Sequence, residues 1–227
     1  MAFSDKRITA RRDWPRPAEA AWAELKGASS SVVCDGQGRR GALPAAIRPV
    51  TAATAFAGPA LTVQCRPRDN VAALAALQWV RSGDVMVLGN DGHDGAALIG
   101  ANFVALARAR GVAAIVCDGP ARDIDDLDSL GIPVFSRGVM PGGPFKTGPG
   151  LIGFPVPIGP VVVASGDIVV GDRDGIVVVR QDEIAVAVAG HRAIRARESA
   201  MAATIGQGDL PDWLRETISA IGVDVVD

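Results

Sequence analysis

At 227 residues and 48% hydrophobic content, the chain is long enough to bury a sizeable core and short enough for one domain. Its 23 basic and 25 acidic residues nearly cancel and are scattered, so there is no electrostatic footprint for nucleic acid or an anionic membrane, and a small polar ligand or a protein partner is expected. Cys34, Cys65 and Cys117 are too few and too separated for a disulfide framework, the N-terminal MAFSDKRITARRDWPRP lacks an apolar stretch, and no later apolar run spans a membrane without Gly or Pro; a soluble, unprocessed, cytoplasmic protein is expected.

In chain order, the first expected element is a helix over residues 17–26, followed by a Gly- and Ser-rich loop through Asp35, Gly36 and Gly38. After Gly58 and Pro59 the pattern becomes regular. LTVQC (61–65) predicts a strand, NVAALAALQWV (70–80) a helix and DVMVLG (84–89) a strand, and the Gly-rich GNDGHDG then leads into a helix over residues 101–110. This alternation predicts parallel strands joined by crossover helices. GVAAIVC (111–117) is a further short buried strand, DGPARD a loop, and IDDLDSL a short helix closed by Gly131. Residues 133–160 carry many Gly and Pro and no helical period, which marks strand and turn material and a candidate binding rim. DIVVGDRDGIVVV predicts a hairpin with its turn signal at Asp174-Gly175. Beyond Gln181 the tail is helical, with a final helix after Pro211. Residues 1–227 are thus expected as a single domain with helical extensions at both ends.

Few catalytic templates fit. Gly89, Gly92 and Gly95 follow a strand, but their spacing is not that of a dinucleotide loop, and Asp91 and Asp94 would repel a pyrophosphate. The helix start beyond this loop, near Gly100, offers orphan backbone amides for a carboxylate. His93 and His191 are the only histidines, which leaves little for a zinc site, and the cysteines read as small core residues. DGPARD is the most chemically suggestive run. It sets Arg122 and Asp123 side by side after a strand end, where open α/β sheets put their ligands; Arg offers a planar fork for a carboxylate and Asp an oxygen for a hard cation. Taken alone, Asp123 also reads as a cap for the following helix and Arg122 as a solvated charge.

Taken together, the ordered blocks SSSVVCDGQG, IRPV, GPALTVQCRPRDN, SGDVMVLG, ALIGANF, GVAAIVCDGPARD, GIPVFSRG and SGDIVVGDRDGIVVV resemble the family of 4-hydroxy-4-methyl-2-oxoglutarate aldolases and regulators of ribonuclease E activity A, over residues 29–198. The resemblance implies a three-layer α/β/β sandwich similar to phosphohistidine swivelling domains. It also implies a homotrimer or homohexamer with sites between subunits, and Mg²⁺ or Mn²⁺ as cofactor. By the same resemblance, Arg122 binds substrate, Asp123 holds the metal, and Gly100, Ala101, Asn102 and Phe103 bind substrate through backbone amides. Glu198 corresponds to a glutamate that reaches a neighbouring subunit's site.

The chain departs from that pattern in having Ala101 where active aldolases carry aspartate, and Phe103 in place of leucine. Backbone binding survives such changes, but the side-chain carboxylate is gone unless Asp91, His93 or Asp94 replaces it. The expected function is a divalent-metal-dependent lyase that cleaves a C–C bond of a small 2-oxo acid through a pyruvate enolate, as an oxaloacetate decarboxylase or a 4-hydroxy-2-oxo acid aldolase. Decarboxylation is favoured because it needs no base for a hydroxyl proton. The rival reading is a non-catalytic trimeric regulator that binds a protein partner such as a ribonuclease. A menaquinone-precursor methyltransferase finds no glycine-rich cofactor motif to support it.

Overall fold

The computed structural model describes residues 7–226; residues 1–6, on which part of the N-terminal reading falls, and residue 227 lie outside the described residues. Eleven strands and six α-helices are present among them: β1 (Ile8–Ala10), α1 (Ser30–Gly36), β2 (Arg48–Pro49), β3 (Phe56–Cys65), α2 (Val71–Ala76), β4 (Val85–Gly89), α3 (Ala101–Ala109), β5 (Ala114–Cys117), α4 (Ile124–Ser129), β6 (Val134–Ser136), β7 (Gly150–Ile152), β8 (Val156–Ile158), β9 (Val161–Val163), β10 (Ile168–Gly171), β11 (Ile176–Val179), α5 (Ile184–Gly206) and α6 (Asp212–Ile221). The sheet order is β1-β7-β3-β4-β5-β6-β2. The run β3-β4-β5-β6 is parallel and its connections carry α2, α3 and α4, as the alternating pattern requires.

β3 belongs to two layers. Its second half pairs with β4, Ala60 against Val85 through Gln64 against Gly89, while its first half pairs antiparallel with β10, Phe56 against Gly171 through Pro59 against Ile168. Period-two alternation then sorts the side chains. Leu61, Val63, Met86, Leu88, Ile115 and Cys117 face α2, α3 and α4 and pack with Ala72, Ala76, Phe103, Val104 and Leu127. Val85, Val87, Ala114 and Val116 point the other way, onto Val156, Ile158, Val163, Val169 and Val178. On the far side of the hairpin, Ile168, Val170, Val177 and Val179 meet Val33 of α1 and Ala187 and Val188 of α5.

Two local expectations are corrected. Residues 17–26 form not one helix but two 3₁₀ turns, Glu19–Ala21 and Ala23–Leu25. Trp22 and Leu25 are both buried, and a separation of three residues stacks them on one side of a 3₁₀ turn, which returns every three residues. The Gly- and Ser-rich stretch expected as a loop contains α1. Its start is held by a distant side chain, since Asp172 takes both Ser30 N–H (2.7 Å) and Ser30 Oγ–H (2.6 Å). Gly36 at its end lies against Gly190 of α5 so closely that a Cβ would sit 2.7 Å from the Gly190 carbonyl carbon. The hairpin is as expected, with Gly171 opposite Ile176. In α5 only Ile184, Ala187 and Val188 are buried, and α6 buries none of its residues against the rest of the chain.

Candidate functional site

Parallel β4 and β5 finish at the same edge of the sheet, and the loops that leave them stay paired. Leu98 N–H donates to Pro120 O (2.8 Å), Arg122 N–H to Ile99 O (3.1 Å), and Ala121 exchanges bonds with Gly138 and Met140. This small ladder places the start of α3 beside Arg122 and Asp123. The chain reverses at Asp123, whose backbone is left-handed (φ 60°), a conformation that Asp tolerates better than most residues. The side chain therefore does not cap α4, as one reading of the sequence had it. Asp123 Oδ2 instead accepts the Ala101 N–H at 3.1 Å, with Arg122 Nε 3.6 Å away.

The glycines here are fixed by crowding. A Cβ on Gly100 would lie 2.5 Å from Asp123 Oδ2 and 3.0 Å from Arg122 Cγ, and one on Gly143 would lie 2.5 Å from Arg122 Nη1. In α3 the Val104 N–H is the first to find a helical acceptor, Gly100 O at 3.1 Å. The N–H groups of Asn102 and Phe103 precede it, at the positive end of the helix dipole.

These elements line a cleft of about 160 Å³, small beside the roughly 300–1,000 Å³ of drug-sized sites. Leu74, Ile99, Phe103, Leu106 and Pro144 form its apolar walls, and Asn70, Gly100, Asn102, Arg122, Asp123 and Lys146 its polar surface. Arg122 and Asp123 are both about two-fifths exposed, open to a ligand without being fully solvated. Asn70 is 5% exposed; its Nδ2 donates to Leu98 O at 2.9 Å, while its Oδ1 has no partner among the described residues.

The structure thus brings Gly100, Asn102, Phe103, Arg122 and Asp123 onto one cleft, with Ala101 contributing the N–H that Asp123 binds. Asp91, His93 and Asp94 do not line it, so no loop carboxylate stands in for the side chain missing at Ala101. Asp91 is engaged elsewhere, accepting Gln64 Nε2–H at 3.0 Å. Glu198, exposed on α5 and 3.7 Å from Arg195, does not line the cleft of its own chain. Sequence reasoning missed Asn70, Leu74, Pro144 and Lys146. Asn70 lay inside a block quoted for resemblance, and Pro144 and Lys146 in the stretch read only as a binding rim.

Among the described residues no three His, Cys, Asp or Glu side chains converge as metal ligands. The cysteines are free; burial pushes the Cys117 thiol up to about 12 and raises that of Cys65 as well, which makes both poor nucleophiles. No helix among the described residues is long and apolar enough to cross a membrane.

Comparison with known proteins places the chain among relatives of the same fold. A protein of Halalkalibacterium halodurans, provisionally named a 4-hydroxy-4-methyl-2-oxoglutarate aldolase, is 37% identical over 137 residues, 60% of this chain and 65% of that protein, so the match spans just under two thirds of the relative. A structure from Pseudomonas syringae pv. tomato strain DC3000 superposes with a TM-score of 0.76 at 28% identity, covering 87% of this chain and 97% of the other. Streptomyces coelicolor RraAS2, described as an unusual member of the RNase ES inhibitor RraA protein family, gives a TM-score of 0.72 at 28% identity, covering 81% and 97%. The RraA-like family model, described as Aldolase/RraA, matches residues 30–178, and with two thirds of its length inside that model the chain belongs to the RraA-like family.

Proposed function

We propose that the chain is a divalent-metal-dependent lyase acting on a small 2-oxo acid, with decarboxylation of an oxaloacetate-like substrate favoured over aldol cleavage. The observation that carries this reading is the cleft itself: Arg122, the free amides of Asn102 and Phe103, and the single carboxylate of Asp123 face a space sized for a short acid. The aldolase name of the Halalkalibacterium halodurans relative supports the reaction class. The three side-chain clusters described above support the finer reading of the fold as a three-layer α/β/β sandwich of the swivelling-domain kind.

The donor set fits a hard cation. Mg²⁺ keeps several waters and needs one or two carboxylates, which Asp123 supplies; Zn²⁺ finds no nitrogen or sulfur ligand at the cleft. When bound there, Mg²⁺ or Mn²⁺ would supply Lewis acidity toward the substrate's keto oxygen. The chain's own residues do the rest. The α3 amides hold the 1-carboxylate, and Arg122 stabilises the negative charge that gathers on the enolate oxygen as the C3–C4 bond breaks. In decarboxylation that bond's electrons form the enolate and CO₂ leaves, so no base is required; the enolate then takes a proton at C3 to give pyruvate. Aldol cleavage in addition requires removal of the 4-hydroxyl proton, and the cleft offers no carboxylate for it besides Asp123.

A homotrimer or homohexamer is part of this proposal. Exposed Ile205, Leu210 and Trp213 line one groove where α5 turns into α6, Ile218 and Ile221 are exposed further along α6, assembly would cover such apolar side chains, and Glu198 lies on the same arm. The second reading is a non-catalytic regulator of a ribonuclease; the likeness to RraAS2 and the alanine at position 101 favour it. Pyruvate release over a panel of 2-oxo acids, with and without Mg²⁺, decides between them. Metal-dependent release from oxaloacetate supports the lyase, and failure on every acid supports the regulator.

A further inference from the structure

We propose that Arg137 is a positioning residue for Arg122, aiming its guanidinium into the cleft through an ion pair with Asp118; this rests on the substrate-binding role given to Arg122 above. Neither Asp118 nor Arg137 lines the cleft. Asp118 directly follows β5, Arg137 directly follows β6, and Gly92 stands in the loop after β4, so the pair sits where three adjacent parallel strands end. Arg137 Nη2 lies 2.6 Å from Asp118 Oδ1, and Arg137 Nε donates to the same oxygen at 2.8 Å and to Asp118 O at 3.1 Å. The second carboxylate oxygen accepts Gly92 N–H at 2.8 Å. Both oxygens of a carboxylate only 3% exposed are therefore engaged, and one ion pair ties the exits of β4, β5 and β6 together.

The chain beyond Arg137 carries that order to Arg122. Arg137 N–H donates to Gly119 O (3.1 Å), Gly138 O accepts Ala121 N–H (2.8 Å), Ala121 O accepts Met140 N–H (3.0 Å) and Gly142 O accepts Ala97 N–H (2.8 Å). Gly143 follows, packed so tightly against Arg122 that a Cβ there would stand 2.5 Å from Nη1. The ion-pair partner of Arg122 among the described residues is Asp123, 3.6 Å away on the same loop, so the aim of the guanidinium depends on its backbone and on the chain that passes it. Removing one member of a buried pair leaves the other charge without a partner, and the loops that the pair joins must give way. A displacement of about 1 Å at a positioned group can cost about 10²-fold in rate.

Two measurements on the full-length protein test this. In hydrogen exchange without ligand, Arg137→Met should strip protection from residues 119–123 and 138–143, while α1 and the β10–β11 hairpin keep theirs. In pyruvate binding with Mg²⁺ present, read without turnover, Arg137→Met should weaken affinity about tenfold when Arg122 is intact. In an Arg122→Met background the same change should cost less than about twofold, the non-additivity expected of one residue acting through another. Arg137→Lys keeps the charge but not the planar fork, and should restore most of the affinity. If Arg137→Met does not fold, Arg137→Lys carries both measurements with smaller effects. Protection unchanged in the two loops, protection lost evenly throughout a folded variant, or equal losses of affinity in both backgrounds overturns the assignment, because a residue that only stabilises the fold acts alike with or without Arg122. A wild type that binds no pyruvate would sink the 2-oxo acid reading instead, and hydrogen exchange would still decide whether Arg137 holds the Arg122 loop.

Discussion

The carboxylate of Asp123 spans 22 positions of sequence to accept the backbone N–H of Ala101, at 3.1 Å. That bond joins the loop after β5 to the start of α3 and engages only one of the two carboxylate oxygens. It also explains why a residue at the N-cap position of α4 makes no side-chain cap there.

Asp123→Asn is expected to abolish Mg²⁺-dependent pyruvate release while shifting stability by no more than about 1 kcal/mol, because the side chain is part-exposed and Asn accepts the left-handed backbone. Asp123→Ala would add the cost of a left-handed alanine and confuse the two effects. Activity with and without chelator, alongside denaturant midpoints, checks this; full activity of either protein in excess chelator would end the metal proposal.

Gly100→Ala probes the same bond from the other side. The backbone at Gly100 is extended (φ −157°), so alanine brings no conformational strain, but its Cβ would stand 2.5 Å from Asp123 Oδ2. The carboxylate must swing away. We expect turnover to fall by about 10²-fold or more, as for a misplaced catalytic group, with little change in melting temperature. Retained turnover would show that the Asp123 position is not critical.

The parts of the fold that were legible are those where one local signal suffices. β3, β4 and β5 are apolar runs bounded by turn residues, and the β10–β11 hairpin carries its own Asp-Gly signal. α1 was not legible because its start depends on Asp172, 142 positions away, and its end on a glycine crossing with α5. In the site, Arg122 and Asp123 stood out because two opposite charges follow a strand end. Lys146 and Asn70 did not, since the bonds that bring their segments together, from Thr147 and Gly148 N–H to the Asp69 carboxylate and from Asn70 N–H to Phe145 O, are long-range and have no period in sequence.

The α1 anchor predicts a pH dependence. Burial pushes the Asp172 carboxyl up, but hydrogen bonds from Ser30, Asp174 and Gly175 outweigh it and hold the group below the ordinary 3.8. A carboxyl depressed in the folded state adds stability above its unfolded value and loses it as pH falls through the folded one. Asp172→Asn should therefore cost about 1 kcal/mol near neutral pH, allowing for its partial exposure, and progressively less below about pH 4. Urea melts of both proteins at pH 7 and pH 3.5 measure the difference; an unchanged gap at the lower pH would mean that the charge is not what holds Ser30.

The last prediction concerns Ala101, where binding and catalysis can be separated by one side chain. Ala101→Asp puts a carboxylate in the first turn of α3, where the helix dipole favours negative charge, so the fold should be unharmed. The new group stands next to Asp123, whose Oδ2 already holds the residue 101 N–H, so two carboxylates would share one edge of the cleft. Their repulsion is relieved by a cation between them, and Mg²⁺ should bind more tightly than to the wild type. The added carboxylate also provides the base that aldol cleavage lacks. A positioned acid–base group is worth about 10²–10⁴-fold, which bounds the gain in cleavage of a 4-hydroxy-2-oxo acid, while decarboxylation should change far less because it moves no hydroxyl proton. Steady-state rates on both substrates and Mg²⁺ titrations read these effects separately. If Mg²⁺ binding tightens and aldol cleavage stays undetectable, the missing carboxylate is not what limits the reaction, and the natural substrate of this cleft carries no aldol.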